Sequence, residues 1–136
     1  MNENQTIEFA ALPALGEDLA GGRFAGIITT VSGFHCAVVL LPAHAENLTW
    51  ERAKAWAAEQ GGELPTRPVA ALLYALSKPA LQPHGHWHWT SDEYEFDASF
   101  AWYCTFYYGI QSNTRKSFEG SAVAVRLIPV DSKEQA

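Results

Sequence analysis

The rhythm of apolar and polar positions changes twice along this 136-residue protein. Up to Leu41 the apolar residues come in short runs broken by turn signals. Thr6 to Leu12 is a short candidate strand. Phe24 to Val31 (FAGIITTV) and Phe34 to Leu41 (FHCAVVLL) are rich in β-branched and aromatic residues, which suit a pleated surface. Ser32-Gly33 between them is a hairpin signal, and Gly21-Gly22 marks the preceding turn. The period then becomes helical. Trp50, Ala53, Trp56, Ala57 and Gln60 recur on one face of a segment opened by Thr49 as N-cap and closed by Gly61-Gly62, with Trp50 and Trp56 expected to anchor it on a sheet. A second helix is expected over Pro68 to Ser77, where Val69, Leu72, Leu73 and Leu76 share a face. Thr66 caps it and Lys78-Pro79 stops it. After Pro83 strand character returns in HWHWTS, FAWYCTFYYGI and SAVAVRLIPV. Strands, two helices, then strands predict an α+β fold with both helices on one side of a small antiparallel sheet. No repeat or linker divides the sequence, so residues 1–136 read as one domain with polar ends at 1–6 and 131–136.

Composition narrows the function. A protein of this length buries about two thirds of the surface its unfolded form exposes. A net charge of −6 speaks against a nucleic-acid surface and favours a basic protein partner. Cys36 and Cys104 sit in apolar runs too far apart for a C-x₂-C metal motif, and read as buried reduced thiols. The N-terminal MNENQTIEF has neither the basic nor the apolar region of a signal peptide, and no 18-residue apolar run exists. A cytoplasmic protein with no membrane contact is the expectation, unless a virion carries it out.

LTWERAKAWAAEQGG, ELPTR, ALLYAL, HWHWTSDEY, AWYCTFYYGIQ and AVAVRLI, in that order, resemble the Lcl C-terminal domain family over roughly Gly21 to Ile128. This is a domain of largely unassigned function found in phages, prophages and bacterial surface proteins. The resemblance implies a fold similar to C-type lectins and the formylglycine-generating enzyme core: two helices packed on a small antiparallel sheet with irregular loops. It implies structural roles for Leu64, Pro65, Thr66 and Arg67, with Arg67 hydrogen-bonded internally, and likewise for Trp89, Trp102 and Arg126. The Glu-Pro-Asn and Trp-Asn-Asp calcium signatures of sugar-binding lectins are absent, so sugar binding does not follow from the resemblance.

Two stretches carry candidate chemistry. His84, His86 and His88 alternate, and on a strand all three could face one way and hold zinc, copper or nickel. No fourth ligand is evident, and an exposed polar strand face is the reading preferred here. From Pro79 to Thr114 there is no Lys or Arg, yet four acids (Asp92, Glu93, Glu95, Asp97) and ten of seventeen aromatics. Alternation in AWYCTFYY puts Trp102, Cys104, Phe106 and Tyr108 on one face and Tyr103 and Tyr107 on the other. With the first face in the core, Tyr103 and Tyr107 are expected outside, where Tyr suits an interface. Asp92, Glu93, Tyr94, Glu95, Asp97, Tyr103 and Tyr107 are therefore the candidate partner-binding residues.

No G-x-S-x-G, H-E-x-x-H, P-loop or dinucleotide fingerprint occurs. The expected function is that of a non-catalytic, cofactor-free protein-binding accessory protein of phage type, with inhibition of a host defence complex as one form. A receptor-binding or adhesin module and a histidine-based metal binder are the alternatives.

Overall fold

The computed structural model describes residues 6–81 and 86–131. Its elements are β1 (Ile7–Glu8), a 3₁₀ turn (Phe9–Ala11), β2 (Asp18–Leu19), β3 (Gly22–Thr29), β4 (His35–Leu48), α1 (Trp50–Glu59), α2 (Arg67–Leu81), β5 (Trp87–Glu93), β6 (Phe100–Thr105), β7 (Ile110–Arg115) and β8 (Gly120–Asp131). The strands form one eight-stranded sheet in the order β2-β3-β4-β8-β5-β6-β7, with β1 added beside β8.

The expected arrangement of two helices on one side of a small antiparallel sheet is overturned. The fold is β-rich, and its sheet is mixed, because β8 pairs antiparallel with β4 but parallel with β1 and, at His88↔Ser121, with β5. Two stretches to which the sequence pattern assigns no element are strands. The Pro42–Leu48 stretch continues β4 along β8 through two register shifts, and the polar Gln111–Arg115 stretch forms β7 against β6. In β4 the bulges absorb residues that break the alternation, whereas β7 pairs with β6 in unbroken register but is polar at nearly every position, so neither segment shows an apolar period of two. Conversely, Thr6 to Leu12 supplies only the two-residue β1 before the backbone tightens into the 3₁₀ turn.

The helices lie against opposite faces of the sheet. Ala37, Val39 and Leu41 of β4, with Ala122 and Ala124 of β8, pack on one face with Trp50, Ala53 and Ala57 of α1. Val38 and Leu40, with Val123 and Val125, pack on the other with Val69, Ala70 and Leu73 of α2. β4 and β8 are therefore buried on both sides, as their unbroken apolar runs AVVLL and AVAV require.

The helix ends show what holds them. Thr49 occupies the N-cap of α1, but its side chain makes no capping hydrogen bond. At the other end, Gly61 takes a positive φ of 86° and its N–H donates to the Ala58 carbonyl at 3.0 Å. The Gly62 N–H donates to the Ala57 carbonyl at 3.1 Å, which completes a Schellman cap. The Arg126 guanidinium closes over this turn, donating to the carbonyls of Gly61 (3.2 Å) and Ala20 (2.7 Å). α2 runs past Lys78-Pro79 to Leu81, beyond its expected stop. The side chain of Leu76 lies outside the described residues.

Trp50 is buried and donates from its indole to the Thr90 carbonyl at 2.8 Å, tying α1 to β5. Trp56, expected to anchor the helix equally, is only half-buried at the margin of the same cluster. Trp89 is fully buried and donates to the Leu48 carbonyl at 2.9 Å. Leu64 and Pro65 are buried in the loop between the helices.

Cys36 and Cys104 are free and buried. Burial pushes both thiols up, Cys104 to about 11. At pH 8 the native protein is expected to resist a thiol-reactive disulfide such as DTNB and to release two equivalents once unfolded. Fast stoichiometric reaction of the native protein would contradict this burial.

Candidate functional site

The Leu64-Pro65-Thr66-Arg67 loop ends in the first turn of α2, and there the fold brings together residues far apart in sequence. Each backbone N–H available in that turn has an acceptor. Arg67 N–H donates to Asp92 Oδ2 at 2.8 Å, Val69 N–H to Thr66 Oγ1 at 3.3 Å, and Ala70 N–H to the Thr66 carbonyl at 2.8 Å. Pro68 has no N–H to satisfy. Asp92 is thus a helix cap supplied by β5, and its negative charge sits favourably at the positive end of α2.

Arg67 is held from three directions. Its Nε donates to Gln111 Oε1 at 2.9 Å, and Gln111 Nε2 donates back to the Arg67 carbonyl at 2.8 Å. Its guanidinium stacks on the Trp102 ring, with Cζ 3.5 Å from the ring centroid. On the edge of that ring, Trp102 Nε1 donates to Glu95 Oε1 at 3.4 Å. This assembly forms one end of a groove of about 960 Å³. Ile28 to Val31 of the β3–β4 hairpin and Leu127 of β8 supply its apolar wall, and Gly109 of the β6–β7 turn closes another side.

The four acids of the 92–97 stretch have four different environments. Asp92 is half-buried and committed to the helix cap. Glu93 is exposed and paired with Lys116, whose hydrogen bond and charge hold its carboxyl below the usual range. Glu95 is exposed, and its own backbone N–H and the Trp102 indole lower its carboxyl. Asp97 turns away to accept from the Ser99 hydroxyl and N–H, at 2.7 and 3.0 Å, which lowers it too. Of these four, Asp92, Glu93 and Glu95 line the groove and Asp97 does not.

The aromatics divide differently from expectation. Tyr103 is half-buried on the α1 face of the sheet, its ring 5.1 Å from Trp87, so it is part of the core margin and not an outward interface residue. β6 can bury residues from both faces because the sheet is covered on both. Strand geometry ends at Thr105, and the following turn leaves Tyr107 and Tyr108 exposed and edge-to-face at 4.7 Å. Tyr94 is half-buried among Phe96, Phe100 and Trp102, while Phe96 itself is 81% exposed. The sequence reading does not single out Tyr108, Ile110, Val31 or Gln111. Their signal is the apolar turn YYGI and the apolar hairpin tip, but only the fold sets the two beside α2.

The histidines do not form a common face. His84 lies outside the described residues. His86 is exposed before β5 begins, whereas His88 is fully buried, donating from Nδ1 to the His86 carbonyl at 2.9 Å. The preferred exposed-face reading therefore fails at His88, which packs 4.9 Å from the Phe106 ring and 5.7 Å from that of His44. Among the described residues no group of three or more His, Cys, Asp or Glu could hold a metal ion. No helix among them is long and apolar enough to cross a membrane. A second depression, lined by Asp18, Gly22, Arg23, Leu40 and His44, gathers none of the sequence-predicted partner-binding residues. No family model matches the protein, and no curated protein matches it.

Proposed function

We propose that this is a non-catalytic protein-binding accessory protein, which docks a basic segment of its partner on the groove at the start of α2. The observation that carries this reading is the make-up of the groove and its margin. Exposed, ionised Glu93 and Glu95 stand at one end, and the adjoining turn and hairpin expose Tyr107, Tyr108 and Val31. Acids steer a basic partner, and rigid Tyr side chains add contact area at small entropic cost. The internal commitments of Asp92 and Asp97, and the protonated buried thiols, speak for binding over catalysis. The resemblance to the Lcl C-terminal domain family and the charge of −6 favour a phage-type protein acting in the host cytoplasm, as an inhibitor of a basic host defence complex.

The test is capture of a partner from host extract, followed by kinetics on two variants. Glu93→Lys/Glu95→Lys is expected to slow association by about tenfold and flatten its salt dependence. Tyr107→Ala/Tyr108→Ala is expected to speed dissociation. A captured partner that binds both variants like the parent protein would sink the reading. Capture from the envelope fraction alone would turn it toward an adhesin.

A further inference from the structure

We propose that Arg67 is a receptor for a carboxylate of the docked partner, so that the groove recognises a carboxylate carried beside a cationic residue. This rests on the groove being the docking site, and deepens it by naming what is recognised.

Three observations carry it. First, Arg67 is fixed before anything binds: its main chain is held by Asp92 and Gln111, its Nε by Gln111, and its flat face by Trp102. Little rotamer entropy remains to be lost, and a planar guanidinium so fixed favours bidentate pairing. Second, all of these contacts use the Nε edge or the ring face. Among the described residues, no acceptor lies within hydrogen-bond or ion-pair reach of its Nη nitrogens. A half-buried guanidinium with no carboxylate at ion-pair distance keeps its Nη donors for a ligand.

Third, the neighbouring charges select the ligand. Glu95 feels the Arg67 charge but bonds the Trp102 indole, and Asp92 is spent on the helix cap. Together they would repel a doubly charged anion such as a phosphate, Glu93 being balanced by Lys116, yet they tolerate a single carboxylate accompanied by an ammonium or guanidinium that reaches Glu95. An apolar side chain on the same segment fits against Ile28, Val31 and Leu127. The carboxylate can be the partner's C-terminus or an Asp or Glu side chain, since the chemistry offered to Arg67 is the same.

The experiment uses the 136-residue protein, labelled with ¹⁵N, and three short probes. These are acetyl-Lys-Leu-Val as free acid, the same peptide as C-terminal amide, and acetyl-Lys-Asp-Val amide. The Arg67 Nε–H, Gln111 side-chain amide and Trp102 indole signals report the site. At least one carboxylate-bearing peptide is expected to shift all three saturably, and the carboxylate-free amide to bind at least about tenfold more weakly. Preference between the two acids tells a terminal carboxylate from a side-chain one. Arg67→Lys, which keeps the charge but not the fork, is expected to lose the same factor. If neither carboxylate-bearing peptide binds more tightly than the carboxylate-free amide, the proposal is overturned, as it is by the absence of any saturable shift up to about 10 mM. Should Arg67→Lys fail to fold, the acid-against-amide comparison on the parent protein decides alone. A captured partner that ignores Arg67→Lys but fails to bind Glu93→Lys/Glu95→Lys would sink this inference and leave the docking groove standing.

Discussion

Trp89→Ala is expected to cost about 3–5 kcal/mol of stability, the range for deleting a fully buried aromatic. Trp89 is 0% exposed, stands edge-to-face with Trp87 at 4.8 Å, and donates its indole N–H to the Leu48 carbonyl. Its removal leaves a cavity beneath α1 and takes away the indole hydrogen bond to the carbonyl at the end of β4, so the loss combines packing with a lost hydrogen bond. Trp50→Ala should fall in the same range, because Trp50 is 3% exposed and bonds the Thr90 carbonyl. Trp56→Ala should cost clearly less, since its half-exposed ring leaves a site that water can fill. Denaturant melts of the three variants check the order. A Trp56 variant as damaged as Trp89→Ala would mean that the α1 face is set differently.

Gly62→Ala is expected to destabilise by about 1–3 kcal/mol through overpacking, toward the upper end. A Cβ there would fall well inside contact distance of the Val125 carbonyl oxygen and 2.9 Å from Leu41 Cδ1. That carbonyl cannot retreat cheaply. It accepts the Glu63 N–H at 2.8 Å while the Val125 N–H returns a bond to Glu63 at 2.8 Å, and this bridge seats the end of α1 on β8. Gly61→Ala is the control. Its added Cβ would meet only the Arg126 Nη2 at 3.0 Å, a movable side-chain end, but the φ of +86° costs a β-carbon about 1–2 kcal/mol. Gly61→Ala should therefore destabilise less, and its loss should not grow when Arg126 is shortened. A Gly62 variant melting with the parent protein would remove the close approach of α1 to β8.

Trp102 shows how far the candidate site is legible in the sequence. Its place in an aromatic strand is readable from AWYCTFYY, and so is the density of acids just before it. That Arg67 lies on its ring is not, because the two are separated by a helix and a strand and meet only through the pairing of β5, β6 and β7. The same closure explains why Asp92 is a cap and not a docking residue. Acidity is written in the sequence, but its partner, the first N–H of α2, comes from the preceding element. Tyr103 misleads because alternation tells which residues share a face and not whether that face is covered.

Local periodicity determined the two helices, their Gly61-Gly62 and Thr66 ends, the β3–β4 hairpin and the apolar strands, since each depends on contacts within a few residues. The unbroken runs AVVLL and AVAV also carried the sign that both faces of the sheet are covered, which placing both helices on one side overlooks. The tertiary structure alone decided that β8 joins the first strand pair to the last three, that the helices lie on opposite faces, and that the polar QSNTR stretch is a strand. Those outcomes rest on hydrogen bonds between backbone groups far apart in sequence, as along the β4–β8 ladder that pairs Val38 with Leu127. Backbone groups are alike in every residue but proline, so the choice among such pairings falls to which burial the whole molecule satisfies at once.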